Sequence, residues 1–249
     1  MRSTISSIIS LVLIAVLVYF SFSRLRPDAN YSQSGFDMKR AMSHVEQIGQ
    51  SPHSIGTARH AAVRNYIVQQ LQKMGLQVQT QEGFTMHDGG FLVKPTNIIT
   101  RIEGSDPNAK SLLLLSHYDS AVHSAYGASD AASGVATILE TTRTFLANRT
   151  SHTNDIIILF TDGEEIGLNG AKLFVDDHEW AKNVGLVLNF EARGSGGPSN
   201  MIVETNGGNS NLIKAFDEAN VSHPVATSLM YSIYKMLPND TDSTVFREE

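Results

Sequence analysis

LLLLSHYDS (112–120) runs from four leucines into a histidine and an aspartate within a few positions. A short, wholly apolar run is what a strand buried on both faces requires. Polar groups at the downstream end of such a strand sit where open α/β sheets place their ligands. The pattern recurs. DIIILF (155–160) leads into TDGEE (161–165), and VGLVLNF (184–190) leads into Glu191. Between the first two lies GASDAASG (127–134), whose small residues indicate a turn followed by a helix start, with Asp130 inside it.

Outward from these strands, helical spacing covers 36–50 and 57–74. In the second, Ala61, Val63, Ile67, Leu71 and Met74 recur at helical intervals and Gly75 follows as a C-cap. Further helices are expected at 131–147, 168–176, 209–219 and 225–236. Residues 76–85 and 95–102 alternate as strands do, and 201–204 is a short strand candidate. Strand and helix alternate along the chain. The expected fold class is therefore α/β: a mixed, mostly parallel central sheet sandwiched by helices.

The chain has 249 residues, 41% of them hydrophobic, and a net charge of −6. That balance, without a long basic run, excludes nucleic acid as the main partner. Cysteine is absent, so disulfides and thiolate-bound zinc are excluded and any metal is held by His, Asp and Glu. Residues 5–22 carry no charge, which is length enough to span a bilayer. A signal peptide is the rival reading, with Arg2 ahead of the run and a weak small-x-small site at Ser21-Phe22-Ser23. The expected organisation is an N-terminal anchor (1–26) and one further domain (27–249). Arg24, Arg26, Lys39 and Arg40 follow the span, which the positive-inside rule reads as cytosolic. Long domains cross regardless of such charges, and the expected location is membrane-anchored with the domain after the span extracytoplasmic, either periplasmic or lumenal.

Each polar motif has a bland and a chemical reading. His117 and Asp119, two apart at a strand end, point the same way; they form either a satisfied polar pair or a metal ligand oriented by a carboxylate. Asp130 is either a helix N-cap or a carboxylate bridging two ions. Glu164 and Glu165 are adjacent like charges, tolerated in an exposed first helical turn or where a cation neutralises one of them. Asp162 is compatible with either. Glu191 follows a strand too apolar for the surface, so it is a ligand or a partner of Arg193. The remaining histidines, His53 and His60 beside Gly56-Thr57 among them, read as surface or packing residues.

Taken together, HYD (117–119), SDAASG (129–134), GEE (163–165) and NFEARG (189–194) resemble the co-catalytic zinc aminopeptidases of metallopeptidase family twenty-eight. PHSIGT (52–57) is similar to that family's entry segment. The N-terminal span and TDSTVF (241–246) look most like its vacuolar and endoplasmic-reticulum membrane branch and bacterial relatives. The resemblance implies a zinc-dependent exopeptidase acting on the N-terminal bonds of peptides, with a metal-bridging hydroxide as nucleophile. It implies two Zn2+ ions: His117 and Glu191 on one, Glu165 on the other, Asp130 bridging. Glu164 would be the proton acceptor and Asp119 the catalytic aspartate behind the ligands. It also implies a second terminal histidine beyond Glu191, where this sequence has only His223, in VSHPVA, so that 27–249 is expected to be a metallopeptidase catalytic domain incomplete at its C-terminus. Two alternatives share the fold: a glutaminyl-cyclase-like acyltransferase with one zinc, and an inactive receptor-type ectodomain. Peptides are the implied substrates and a membrane the implied partner of the N-terminal helix.

Overall fold

The computed structural model describes residues 2–23, 32–33, 35–86, 89–192, 194–196, 199–205, 207–219, 225–237 and 240–248. Arg24, Arg26, His87, Arg193 and His223 lie outside them, as does most of the linker after the span. Two compact units emerge, Asn30–Gly194 with Leu237–Glu249, and Met1–Ala29 with Ser195–Met236.

The larger unit is built on five strands: β1 (Val78–Glu82), β2 (Thr96–Ile102), β3 (Ser111–His117), β4 (Ile156–Thr161) and β5 (Val184–Asn189). Their spatial order is β1-β2-β4-β3-β5. β2 is antiparallel to both neighbours, whereas β4, β3 and β5 pair in parallel. Four strands therefore run one way and β2 the other, the mostly parallel sheet expected.

Alternation along the strands feeds two apolar layers. Ile98, Ile158 and Phe160 point to one face, where they pack with Ile48 of α1 (Met38–Ile48), Val63, Ile67 and Leu71 of α2 (Ala58–Lys73), and Val135, Ile138 and Leu139 of α3 (Ala132–Asn148). Ile99, Ile157 and Leu159 point to the other, against Phe174 of α4 (Asn169–Asp177) and Phe246 of α5 (Ser243–Glu248). Helices thus cover both faces, because every strand from β2 to β4 is apolar on both sides. Caps fix the helix starts: Asp37 accepts the N–H groups of Lys39 and Arg40, and Thr57 that of His60.

Some local expectations change. The strand foreseen over 76–85 ends at Glu82, and Thr85–Met86 instead pairs with Leu92–Val93 in a separate two-stranded ladder. β5 is not buried: it forms one edge of the sheet, and Leu186 is 37% exposed. An apolar sequence fixes the strand but not its rank in the sheet.

The smaller unit contains the N-terminal helix Arg2–Ser23 and the helices Ser210–Glu218 and Ser228–Met236. Within the first, Thr4–Ser23 has a mean hydropathy of 2.5 and is long and apolar enough to cross a bilayer. Residues 201–204 make no ladder; Met201 N–H donates a single bond to Val225 O, too little to define a strand.

Candidate metal centre

Parallel pairing brings three strand ends to one edge. His117 is the last residue of β3 and lies in register with Thr161, the last of β4. Leu115 pairs with Asn189, which sets Glu191 level with His117 on the other side. Asp130 arrives on the loop between β3 and α3. It is not the helix cap: the N-cap is Ala131 and makes no side-chain bond. Instead Asp130 Oδ1 lies 2.9 Å from His117 Nε2, and Glu191 Oε2 lies 3.6 Å from the same nitrogen. Ligand atoms of His117, Asp130 and Glu191 all fall within 4.8 Å of one another.

Glu164 and Glu165 open a short 3-10 turn after β4, and Gly163 supplies its left-handed entry at φ 72°. Neither is an exposed helical acid. Glu164 Oε2 comes to 4.0 Å from His117 Nε2, and its side chain is 11% exposed. Glu165 stands outside the three-donor group but lines the same cavity of about 370 Å3, with Asp130, Glu164, Glu191, Leu168, Lys172 and Asp240.

Asp119 is buried, and its carboxylate is shared between the imidazole and the turn after β4. His117 Nδ1 lies 3.0 Å from the backbone carbonyl of Asp119 and 3.4 Å from its carboxylate. The carboxylate oxygens accept the backbone N–H groups of Glu164, at 3.2 Å, and Glu165, at 3.4 Å. Asp119 therefore ties the end of β3 to the turn after β4.

The electrostatics are those of an acid cluster short of positive charge. Burial raises Glu164 to about 9, with Asp242, Glu191 and Asp119 adding to it while His117 opposes. Burial raises Glu165 to about 7, with Asp130, Asp119 and Glu191 adding like charge. Burial of His117 would lower its pKa, but hydrogen bonds to Asp119, Asp130 and Glu191 raise it well above 6.5. An imidazole nitrogen among carboxylates is a zinc donor set, and a divalent ion supplies the missing charge. The residues fit the metal.

Asp242 is a member of this cluster that sequence reasoning did not single out. It is fully buried, accepts a 2.5 Å hydrogen bond from Thr161 Oγ1, and its Oδ1 has no hydrogen-bond partner among the described residues. Burial and the nearby Glu191 and Asp119 push it up to about 7. TDSTVF was visible, but nothing local tied it to residues 117–191. His60 reads from sequence as a surface or packing residue and Asp162 is compatible with either reading; in the structure they form a buried pair at 2.8 Å.

A mostly parallel sheet covered by helices, with His, Asp and Glu donors at its carboxyl edge, is an arrangement that suits a metal-dependent enzyme. Residues 97–249 match the model of peptidase family M28, and the chain belongs to that family. The vacuolar membrane protease of Schizosaccharomyces japonicus is 34% identical over 184 residues, covering 69% of this chain and 21% of that protein. The chain thus spans about a fifth of that relative's length. A glutaminyl cyclase of Porphyromonas gingivalis superposes with a TM-score of 0.52 at 27% identity, over 58% of this chain and 54% of its own. A Zn-dependent exopeptidase from Parabacteroides distasonis gives 0.50 at 25% identity, over 58% and 57%.

Proposed function

We propose that this chain carries the catalytic part of a membrane-anchored, zinc-dependent aminopeptidase that removes residues from the N-termini of peptides. The observation that carries this reading is the convergence of His117, Asp130 and Glu191 within 4.8 Å, with Glu164 at 4.0 Å from the same imidazole. His117 and Glu191 would hold one zinc and Glu165 a second, with Asp130 as the carboxylate shared between the two. When bound, zinc supplies Lewis acidity toward the scissile carbonyl and lowers the pKa of water.

The chain's own groups do the rest. Glu164 takes a proton from the attacking water and passes it to the departing amine as the C–N bond breaks, so the carboxylate is regenerated. Asp119 holds Glu164 in place through its backbone N–H. Asp240, Glu165 and the other acids of the cavity favour a cationic substrate terminus, as a free α-ammonium is. The N-terminal helix anchors the chain with this part outside the cytoplasm.

The decisive measurement is hydrolysis of aminoacyl-anilides by the full chain with and without zinc. Glu164→Gln should lose ~10²–10⁴-fold in kcat while binding zinc as before. A wild-type chain that binds zinc yet releases no amino acid, with Glu164→Gln indistinguishable from it, overturns the reading.

A glutaminyl-cyclase-like transfer with one zinc is favoured by one observation, the likeness to the Porphyromonas gingivalis enzyme together with a three-donor group that omits Glu165. One zinc per chain, and ammonia release from a peptide with N-terminal glutamine, would select it over the aminopeptidase.

A further inference from the structure

Behind the mouth of the sheet lies a buried pair with no part in the proposed chemistry. His60 Nε2 is 2.8 Å from Asp162 Oδ1, and the two side chains are 5% and 1% exposed. Such pairs are weak evidence for stability, since apolar replacements often do as well. Location is the informative property. Asp162 directly precedes Gly163-Glu164-Glu165. Its second oxygen accepts the Thr96 N–H at 2.8 Å, and its own N–H donates to Asn97 Oδ1 at 3.2 Å. Asn97 in turn donates to Gly170 O at 2.8 Å. On its other side the His60 ring stacks on Tyr118, with centroids 4.9 Å apart and planes 11° from parallel. Tyr118 stands between His117 and Asp119, and its hydroxyl donates to Thr96 O at 2.7 Å.

One imidazole therefore touches both segments that deliver the chemistry, the 117–119 segment through Tyr118 and the 162–165 segment through Asp162. Asp119 closes the loop by accepting the N–H groups of Glu164 and Glu165. The short 3-10 turn holds itself together through local backbone bonds such as Leu168 N–H to Glu164 O and Asn169 N–H to Gly163 O. It belongs to no ladder, however, so its direction against the 117–119 segment depends on contacts of this kind. Gly170 is packed so tightly on the backbone of Asp162 that an added Cβ would overlap it. The scaffold leaves no slack on that side.

We propose that His60 is a positioning residue: through Asp162 and Tyr118 it fixes the Gly163–Glu165 turn against the 117–119 segment and so sets where Glu164 and Glu165 point. The proposal rests on the roles given above to those two glutamates. Nε2 carries the proton that Asp162 accepts, and the ring face supplies the rest of the contact.

The test uses the full chain and three variants. His60→Phe keeps a ring on Tyr118 and removes the donor. His60→Gln returns an amide N–H near the position of Nε2. Glu140→Gln removes a buried carboxylate far from the turn and serves as a destabilised control. Zinc affinity by equilibrium titration is read alongside thermal midpoint, kcat and KM. His60→Phe should weaken zinc binding and lower kcat by ~10–100-fold, as removal of groups behind metal ligands does, with KM within about twofold. His60→Gln should recover most of both. Glu140→Gln should lower the thermal midpoint and leave both unchanged. His60→Asn, whose amide is too short to reach Asp162, replaces the Phe variant if that one does not fold.

The proposal is overturned if His60→Phe, or its Asn replacement, changes the thermal midpoint alone, or if His60→Gln restores that midpoint without zinc affinity. Should the wild type hydrolyse no anilide while His60→Phe still loses zinc affinity, the aminopeptidase reading falls and the positioning role stands. Should the wild type be active and His60→Phe behave as Glu140→Gln does, the reverse holds.

Discussion

His117 Nε2 and Asp130 Oδ1 lie 2.9 Å apart across 13 positions of chain. With Asp119 and Glu191 beside them, these contacts favour a proton on the imidazole of the metal-free chain, because the hydrogen bonds to Asp119, Asp130 and Glu191 outweigh the burial that would remove it. Zinc and that proton compete for one nitrogen. Zinc affinity should therefore rise with pH from about 6 to about 9, with proton release on binding. Titration calorimetry in buffers of different ionisation heat measures both. An affinity flat across that range would remove His117 Nε2 from the donor set.

The same cluster makes the stability of the zinc-free chain fall with rising pH. Glu164 and Glu165 titrate near 9 and near 7 when folded, against 4.5 as free groups, and Asp242 near 7 against 3.8. The folded chain thus holds more protons than the unfolded one between these values, and stability declines as pH rises through them. His117 has the same sign, its contribution being lost as pH passes its raised folded value. The thermal midpoint after chelation should drop from pH 5 to pH 9, and the gap to the zinc-loaded protein should widen. A midpoint that climbs with pH in the chelated protein would contradict this charge balance.

Glu140 predicts the opposite pH behaviour far from the site. Its side chain is fully buried and receives Arg143 Nη2 at 2.7 Å, Arg143 Nε at 2.8 Å, Arg40 Nε at 3.1 Å and the Asp37 N–H at 2.9 Å. Burial works against the charge, but these donors prevail and hold its pKa below 4.5. Its contribution is present above that value and lost as pH falls through the lowered one. Glu140→Gln should cost about 2 kcal/mol near neutral pH, discounted because both arginines reach solvent. Urea unfolding at pH 7 and pH 3.5 should show the difference between wild type and variant shrinking in acid.

Gly134 marks where α3 comes closest to the sheet. A Cβ there would overlap Ser116 Oγ and would stand 2.5 Å from Phe190 O. Gly134→Ala should therefore destabilise by about 1–3 kcal/mol through overpacking, even though alanine is the better helix former. Since Ser116 precedes His117 and Phe190 precedes Glu191, the variant should also weaken zinc binding. An unchanged urea midpoint would show that the helix can shift to make room.

Most of the fold was legible because its signals are local. Four leucines at 112–115 and the apolar run at 155–160 each declare a buried strand, and 57–74 declares a helix, all within two residues of the observed limits. Pairing is not local. That β5 would be an edge, and that Thr85–Met86 would leave the main sheet, follows from strand order, which periodicity does not encode. At the site, the candidate donors of the 117–191 stretch could be named because His117, Glu164, Glu165 and Glu191 follow apolar runs and Asp130 lies in a turn of small residues. Asp242 could not, because it reaches Thr161 across 81 positions, and neither could the pairing of His60 with Asp162 across 102.

The sequence by itself determined which side chains stand at the ends of the strands, since a short apolar run followed by His, Asp or Glu leaves few other places for them. Only the tertiary structure decided what holds those side chains in position. Asp119 gives its carboxylate to the backbone of Glu164 and Glu165, and His60 joins Tyr118 to Asp162. The physical reason is that a strand end inherits its direction from the strand. A turn has no such ladder and takes its direction from whatever the packed sheet and helices press against it.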